Sequence, residues 1–239
     1  MSTRYVITFI IILTSVVAVA LTGFRQVTKN KADLNEEIFN KRSILQAVEA
    51  EFPEGTKVSG FTEDQILEIF DKQVEQVVLN MAGEVQTGKK AEDVDLATEK
   101  KKPEGDRLLP LYIFNQDGKK YYILSVRGRG LWDEIWGNIA LASDLNTVVG
   151  ATFDHKGETP GLGAEIKDNP AFAAQFEGKQ IYQDGKLVSI KVRKGGAQDE
   201  QHEVDAITGA TITSEGVTEM LKKGIKFYEP YFNSIRSKQ

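Results

Sequence analysis

The chain has 239 residues, 41% of them hydrophobic and 27% charged, with a formal net charge of −5. That length accommodates one good-sized domain plus an appendage, and the acidic balance leaves no basic face for nucleic acid. With no cysteine and only two histidines, His155 and His202, the sequence excludes iron–sulfur clusters, CxxCH-attached haem, thiol chemistry and Cys-based structural zinc. A chain of this kind that moves electrons must borrow an organic cofactor. No EF-hand spacing marks a calcium site.

The first element in chain order is "YVITFIIILTSVVAVALTGF", Tyr5 to Phe24, uncharged throughout. At 1.5 Å rise per residue such a helix can cross a hydrocarbon core of about 30 Å, with aromatic rings at both ends. The rival reading is a signal peptide with Ala18-Val19-Ala20 as its cleavage site, but the apolar run continues past that point. Arg25, Lys29 and Lys31 follow the span and only Arg4 precedes it, so the positive-inside rule alone keeps the rest of the chain cytoplasmic. Leu34, Ile38, Leu45 and Val48 recur at helical spacing, predicting a stalk that ends near Pro53. "FTEDQILEIFDKQVEQVVLNM" predicts a second helix, opened by a capping box of Thr62 and Gln65, with an apolar stripe of Ile66, Ile69, Phe70, Val77 and Met81. Gly88 to Arg107 is charged and reads as a linker or exposed loop.

From Leu108 the texture turns to strands. Asp117-Gly118 and Asp184-Gly185 each mark a hairpin turn, and "NTVVGATFDH" reads as a further strand. "NPAFAAQFEGK" predicts a short helix with Pro170 at its first position after Asn169. "SEGVTEMLKKGIKFYEPYF" predicts a closing helix with Val217, Met220 and Leu221 on one face. The order predicts an α+β domain on a membrane stalk.

Two stretches carry possible chemistry. In "DAITGATITS", Asp205 to Ser214, four hydroxyls crowd around Gly209 and Ala210. Thr213 or Ser214 can cap the closing helix, with Glu215 in its first turn. Thr208 and Thr211 are left over, and Thr211 lies beside a helix amino terminus, where free N–H groups favour a phosphate. No Walker or Rossmann glycine pattern is present. In "HKGETPGLGAEI", Pro160-Gly161 predicts a type II turn that lifts Leu162 as an apolar platform for a flat ring.

Together, "ETPGLG" at Glu158 to Gly163 and "D-x-x-[ST]-G-A-T" at Asp205 to Thr211 resemble the FMN-binding domain of respiratory flavoproteins. The longer stretch "GRGLWDEIWGNIALASDLNTVVGATFDHKGETPGLG" resembles the C-subunit family of sodium-translocating NADH:quinone oxidoreductases. The G subunit of Rnf-type electron-transport complexes shares both motifs and is the nearest alternative. A tethered anion-binding module without redox activity is the alternative from another class. One departure is Thr208, where the family usually has Ser.

The resemblance implies a transmembrane anchor at 1–25, a helical stalk and charged linker at 26–107, and a mixed α/β FMN-binding domain at 108–239. It implies FMN joined to Thr211 by a phosphoester bond. It also implies a flavin loop shaped by Asp205, Thr208, Gly209 and Ala210 and read by a flavin transferase that uses FAD and magnesium. Thr159 and Leu162 are expected on the ring or ribityl chain, with Glu158, Gly161, Gly163, Ile212 and Thr213 around them. Lys191 or Lys194 is expected at the phosphodiester. No residue is expected to ligate a metal or to act as a catalytic group. Trp132 and Trp136 read as core packing, and His155 and His202 as surface or structural residues. The implied activity is electron relay within a six-subunit, sodium-pumping translocase, from an iron centre between its D and E subunits to a flavin on its B subunit. The implied location is the bacterial inner membrane, with the flavin domain on the periplasmic side.

Overall fold

The structure is a computed structural model that describes residues 2–237. The chain divides into two compact units, Met1–Asn40 and Lys41–Gln239. The first consists of most of helix α1 (Thr3–Gln46). Its apolar stretch has a mean hydropathy of 2.5 and is wholly exposed, and among the described residues it is the one helix long and apolar enough to cross a membrane. The helix continues past the apolar stretch as expected, but it stops at Gln46, short of Pro53. A 3₁₀ turn at Glu49–Glu51 takes over.

The second unit is built on an antiparallel sheet whose strands lie in chain order: β1 (Val74–Asn80), β2 (Leu108–Gln116), β3 (Lys119–Arg129), β4 (Glu134–Leu141) and β5 (Val148–His155). Asp117 and Gly118 take φ of 50° and 76°, the double positive value of a tight hairpin turn, and set Gln116 opposite Lys119. Both faces of the sheet are covered, which is why "LPLYIF" in β2 is buried without alternation. On one face lies the closing helix α6 (Thr211–Arg236), whose Val217, Met220, Leu221, Ile225, Tyr228 and Phe232 join Leu111, Leu124 and Val126 in the main core. The fit is close: a Cβ on Gly216 would lie 2.3 Å from the Arg129 carbonyl oxygen. The Tyr228 hydroxyl reaches the carbonyls of Pro110 and Ser125 at 2.8 and 2.9 Å, and burial pushes its pKa up.

The opposite face is met by the last turn of α1 and by α2 (Glu63–Gln73). Phe70 packs edge-on against Tyr112, Phe52 packs against Phe114, and Ser43 lies 3.1 Å from the Thr152 hydroxyl. Helix α2 opens with the expected reciprocal capping box of Thr62 and Gln65. It ends earlier than its apolar stripe predicts. Val74 onward is strand β1, so Val77 lies opposite Leu111 in a ladder and is not on a helix. Three consecutive apolar residues, Val77 to Leu79, find burial on both sides of the sheet, and backbone pairing with β2 outweighs the helical period. The charged stretch from 88 to 107 is also more ordered than a linker. It holds a short helix α3 (Leu96–Glu99) capped by Asp95, and the buried Glu99 carboxylate accepts from Leu108 N–H at 2.9 Å.

Between β5 and α6 run α4 (Glu165–Asp168) and α5 (Pro170–Ala174). The Asn169 side chain accepts from Ala171 N–H, with Pro170 at the first position as expected. Phe153, Phe172 and Phe176 pack ring against ring at 5.0 to 5.5 Å and fix α5 on the sheet. The second hairpin is only the pair β6 (Tyr182–Gln183) and β7 (Lys186–Leu187). The following β8 (Lys191–Arg193) leaves it and pairs in parallel with β9 (Glu203–Asp205).

Candidate cofactor site

Helix α6 begins at Thr211 itself, after Ala210 as cap, and no side chain caps it. Thr213 and Ser214 are therefore not caps; both lie inside the first turn and are buried. The Ser214 hydroxyl accepts from Ile207 N–H at 3.3 Å, and Thr213 donates to Glu158 Oε2 at 2.6 Å. Ser214 N–H makes the first bond of the helix, to the Ala210 carbonyl. The N–H groups of Thr211 to Thr213 have no acceptor among the described residues, so the helix presents its donors and its positive end at Thr211.

Two turns of the same kind bring the motifs together. Thr159 O accepts from Leu162 N–H across Pro160-Gly161, and Ile207 O accepts from Ala210 N–H across Thr208-Gly209. Gly161 and Gly209, at φ of 73° and 79°, take the positive third position that such turns require. Leu162 is 42% exposed and lies over Gly209, where a Cβ would come within 2.8 Å of its Cδ2.

Beneath them sits Glu158, only 5% exposed. Its Oε1 accepts from the N–H groups of Trp132 (2.9 Å) and Asp133 (3.5 Å), while its Oε2 accepts from Thr213. Burial alone would raise its pKa, but these donors together hold it below the ordinary 4.5. Room for the carboxylate comes from two missing side chains. A Cβ on Gly163 would lie 2.3 Å from Oε2, and one on Gly130 2.5 Å from Oε1. Glu158 thus ties the β3–β4 loop, the Pro160 turn and the start of α6 into one floor. The sequence shows no sign of this inward role, since a carboxylate before a Pro-Gly turn is usually solvated.

Trp132 was expected in the core, but it is 64% exposed. It stands at the tip of the β3–β4 loop, where its indole N–H donates to the Thr159 hydroxyl at 3.1 Å. Trp136 is half-buried on β4 under the Arg127 guanidinium, 4.8 Å from the ring centroid. His155 Nδ1 accepts from Glu158 N–H, and the buried His202 Nδ1 pairs with the Gln180 carbonyl. Both histidines serve the fold.

On the other side of Thr211 opens a cleft of about 270 Å³ lined by Lys191, Val192, Arg193, Lys194, Ala206, Thr211, Ser214 and Glu215. Val192 N–H donates to the Thr218 hydroxyl of α6, which fixes this strand and its lysines against the helix start. Arg193 is engaged by Glu203 and Gln198, both at 2.8 Å. Lys191 and Lys194 form no ion pair among the described residues. Asp205 is exposed; its N–H donates to Gln175 Oε1 and its carboxylate accepts from Ala197 N–H. Thr208 is exposed, and Ile212 is 54% exposed on the outer side of the first turn. Arg193 and Glu215 were not foreseen as cleft residues, although Arg193 stands between the two lysines that were.

Residues 130–226 match the FMN-binding domain family. The chain is 40% identical over 127 residues to the C subunit of the Na(+)-translocating NADH-quinone reductase of Vibrio alginolyticus, a match spanning 52% of this chain and 49% of that relative. The corresponding protein of Pseudomonas aeruginosa is 41% identical over 132 residues, covering 53% and 49%. The chain thus aligns with about half the length of these curated relatives. Among solved structures, the C subunit of the same reductase from Parabacteroides distasonis superimposes with a TM-score of 0.74 at 33% identity, covering 85% of this chain and 96% of that one. NqrC of Shewanella oneidensis superimposes with a TM-score of 0.68 at 27% identity, covering 83% and 99%. The fold and site therefore define a protein with an FMN-binding domain. More closely, the chain belongs to the family of Na(+)-translocating NADH-quinone reductase C subunits.

Proposed function

We propose that this chain is the membrane-anchored flavin subunit of a sodium-translocating NADH:quinone reductase, carrying FMN on Thr211 through a phosphoester bond. The observation that carries the reading is the position of Thr211. Its hydroxyl belongs to the first residue of a 26-residue helix with free N–H donors, in a cleft that also holds two lysines without ion-pair partners among the described residues. A phosphodiester there would be met by the donors and by Lys191 and Lys194. The apolar surroundings suit a ring. Among the described residues of the second unit, six large apolar ones are more than 40% exposed, and four of them (Leu131, Trp132, Leu162 and Ile212) belong to the loops and helix turn around Thr211. The turn from Ile207 to Ala210, with Asp205 exposed before it, would be the face offered to the flavin transferase.

Bound flavin would supply one-electron chemistry that no side chain here provides. The chain's own part is to hold the phosphate end, offer an apolar bed and keep the loop fixed from below. Its neighbours in this reading are the B, D and E subunits, with sodium translocation a property of the whole assembly. The location is the bacterial inner membrane, with the flavin domain on the periplasmic side. A cysteine placed between residues 88 and 107 and challenged with an impermeant thiol label should react in cells whose outer membrane is permeabilised. Labelling only after lysis would reverse that orientation.

The attachment is tested by flavin fluorescence of the denatured protein band after co-expression with a flavin transferase, wild type beside Thr211→Val. A fluorescent wild-type band and a dark variant are expected. Two dark bands would favour a redox-inactive anion-binding module, and two bright bands would move the attachment elsewhere.

A further inference from the structure

The floor of the site raises a question that flavin attachment does not answer. A buried carboxylate is costly unless its charge is met, and here it is met by two backbone N–H groups and one hydroxyl, not by a cation. Two glycines leave it the space. The loops and helix turn it binds are those that bear Trp132, Thr159 and Thr211. A scaffold needing only a hydrogen-bond acceptor at this point could use a neutral amide at lower desolvation cost.

Resting on the reading of Thr211 as flavin carrier, we propose that Glu158 is a positioning residue whose buried negative charge lies under the flavin site and lowers the reduction potential of the flavin held there. Taking up an electron adds negative charge to the ring. A fixed anion in the floor opposes that gain, and its burial reduces the screening of its field by solvent. Glu158 acts through space and through the loops it ties, and is not itself one of the residues lining the cleft. Across the cleft the exposed Lys191 and Lys194 face solvent and are better screened than Glu158.

The test is a spectroelectrochemical titration of the full, flavinylated chain. The midpoint of Glu158→Gln, which keeps the shape and removes the charge, should move to a more positive value. Glu158→Asp, which keeps the charge while disturbing the contacts, should stay near wild type. That contrast separates charge from scaffold, since both variants weaken the floor. If Glu158→Gln does not fold, Thr213→Val serves instead. It removes one compensating donor and should move the midpoint to a more negative value. Unchanged midpoints in fluorescent variant bands would overturn the role of Glu158 and leave the flavin assignment standing. A dark wild-type band would overturn the assignment itself.

Discussion

The floor and the rim of the site draw on the same two short motifs and the β3–β4 loop, yet they use their residues in opposite ways. On the floor, Glu158, Thr213 and Ser214 are buried, Thr213 is bonded to Glu158, and Ser214 is bonded to Ile207 of its own loop. On the rim, Thr208, Leu162 and Ile212 are exposed, the Trp132 indole makes a single bond, to an exposed threonine, and Thr211 opens into the cleft. Thr211 and Thr213 are two residues apart in one helical turn, and they show the contrast most plainly. One hydroxyl is committed to a carboxylate, and the other has no partner among the described residues. Crowded hydroxyls in such a motif are therefore not interchangeable. One sets the other's position.

If the floor is structural in this sense, breaking it should be costly. Glu158→Ala leaves the Thr213 hydroxyl and two N–H groups without an acceptor, and should cost about 3 kcal/mol of stability. The check is chemical or thermal unfolding of the full chain in detergent. Gly163→Ala places a Cβ 2.3 Å from Glu158 Oε2 and 2.6 Å from the Thr213 hydroxyl, so the floor must shift. Overpacking of this kind should cost about 2 kcal/mol and reduce flavin attachment at Thr211. A variant as stable as wild type would mean the floor yields more easily than its contacts suggest.

Acid offers a gentler probe of the same contacts. The folded pKa of Glu158 lies below its ordinary 4.5. The stability it contributes is therefore complete above about pH 4.5 and is lost as pH falls from there through the folded value. Other acids with lowered pKa, such as Glu99 and Asp144, add to the wild-type acid transition. The contribution of Glu158 is the difference between wild type and Glu158→Gln across that window. Equal acid sensitivity of the two chains would show that the carboxylate is not held ionised by the floor.

Much of the rim was legible in the sequence because its residues are locally unusual. A leucine lifted by Pro-Gly and a threonine beside a helix start stand out without any tertiary knowledge. The floor was not legible, because what defines Glu158 is an encounter between segments 26 and 55 residues away in the chain. Strand β1 is hidden in the sequence for a related reason. Ile66, Phe70 and Val77 fit a helical stripe, and only the ladder with β2 turns Val74 to Asn80 into a strand. The capping box, the Asp117-Gly118 turn and the Asn169-Pro170 helix start were legible because each is settled within a few residues.

The smallest effect on stability is expected at Trp132, and it is the one that best separates rim from floor. The indole is 64% exposed and makes one hydrogen bond, to the exposed Thr159. Trp132→Phe removes that bond and keeps an aromatic ring, so the unfolding free energy should change by less than about 0.5 kcal/mol. A rim residue should report on the cofactor instead. Indole is an efficient electron donor to an excited flavin, and phenylalanine is not. If Trp132 stands beside the ring, the flavin emission of the folded, flavinylated variant should rise several-fold over wild type, while the denatured bands fluoresce equally. Unchanged emission would place the ring away from the β3–β4 loop and leave Leu162 and Ile212 as its apolar bed. A large loss of stability would instead make Trp132 part of the floor, and the division drawn between the two sets of residues would have to move.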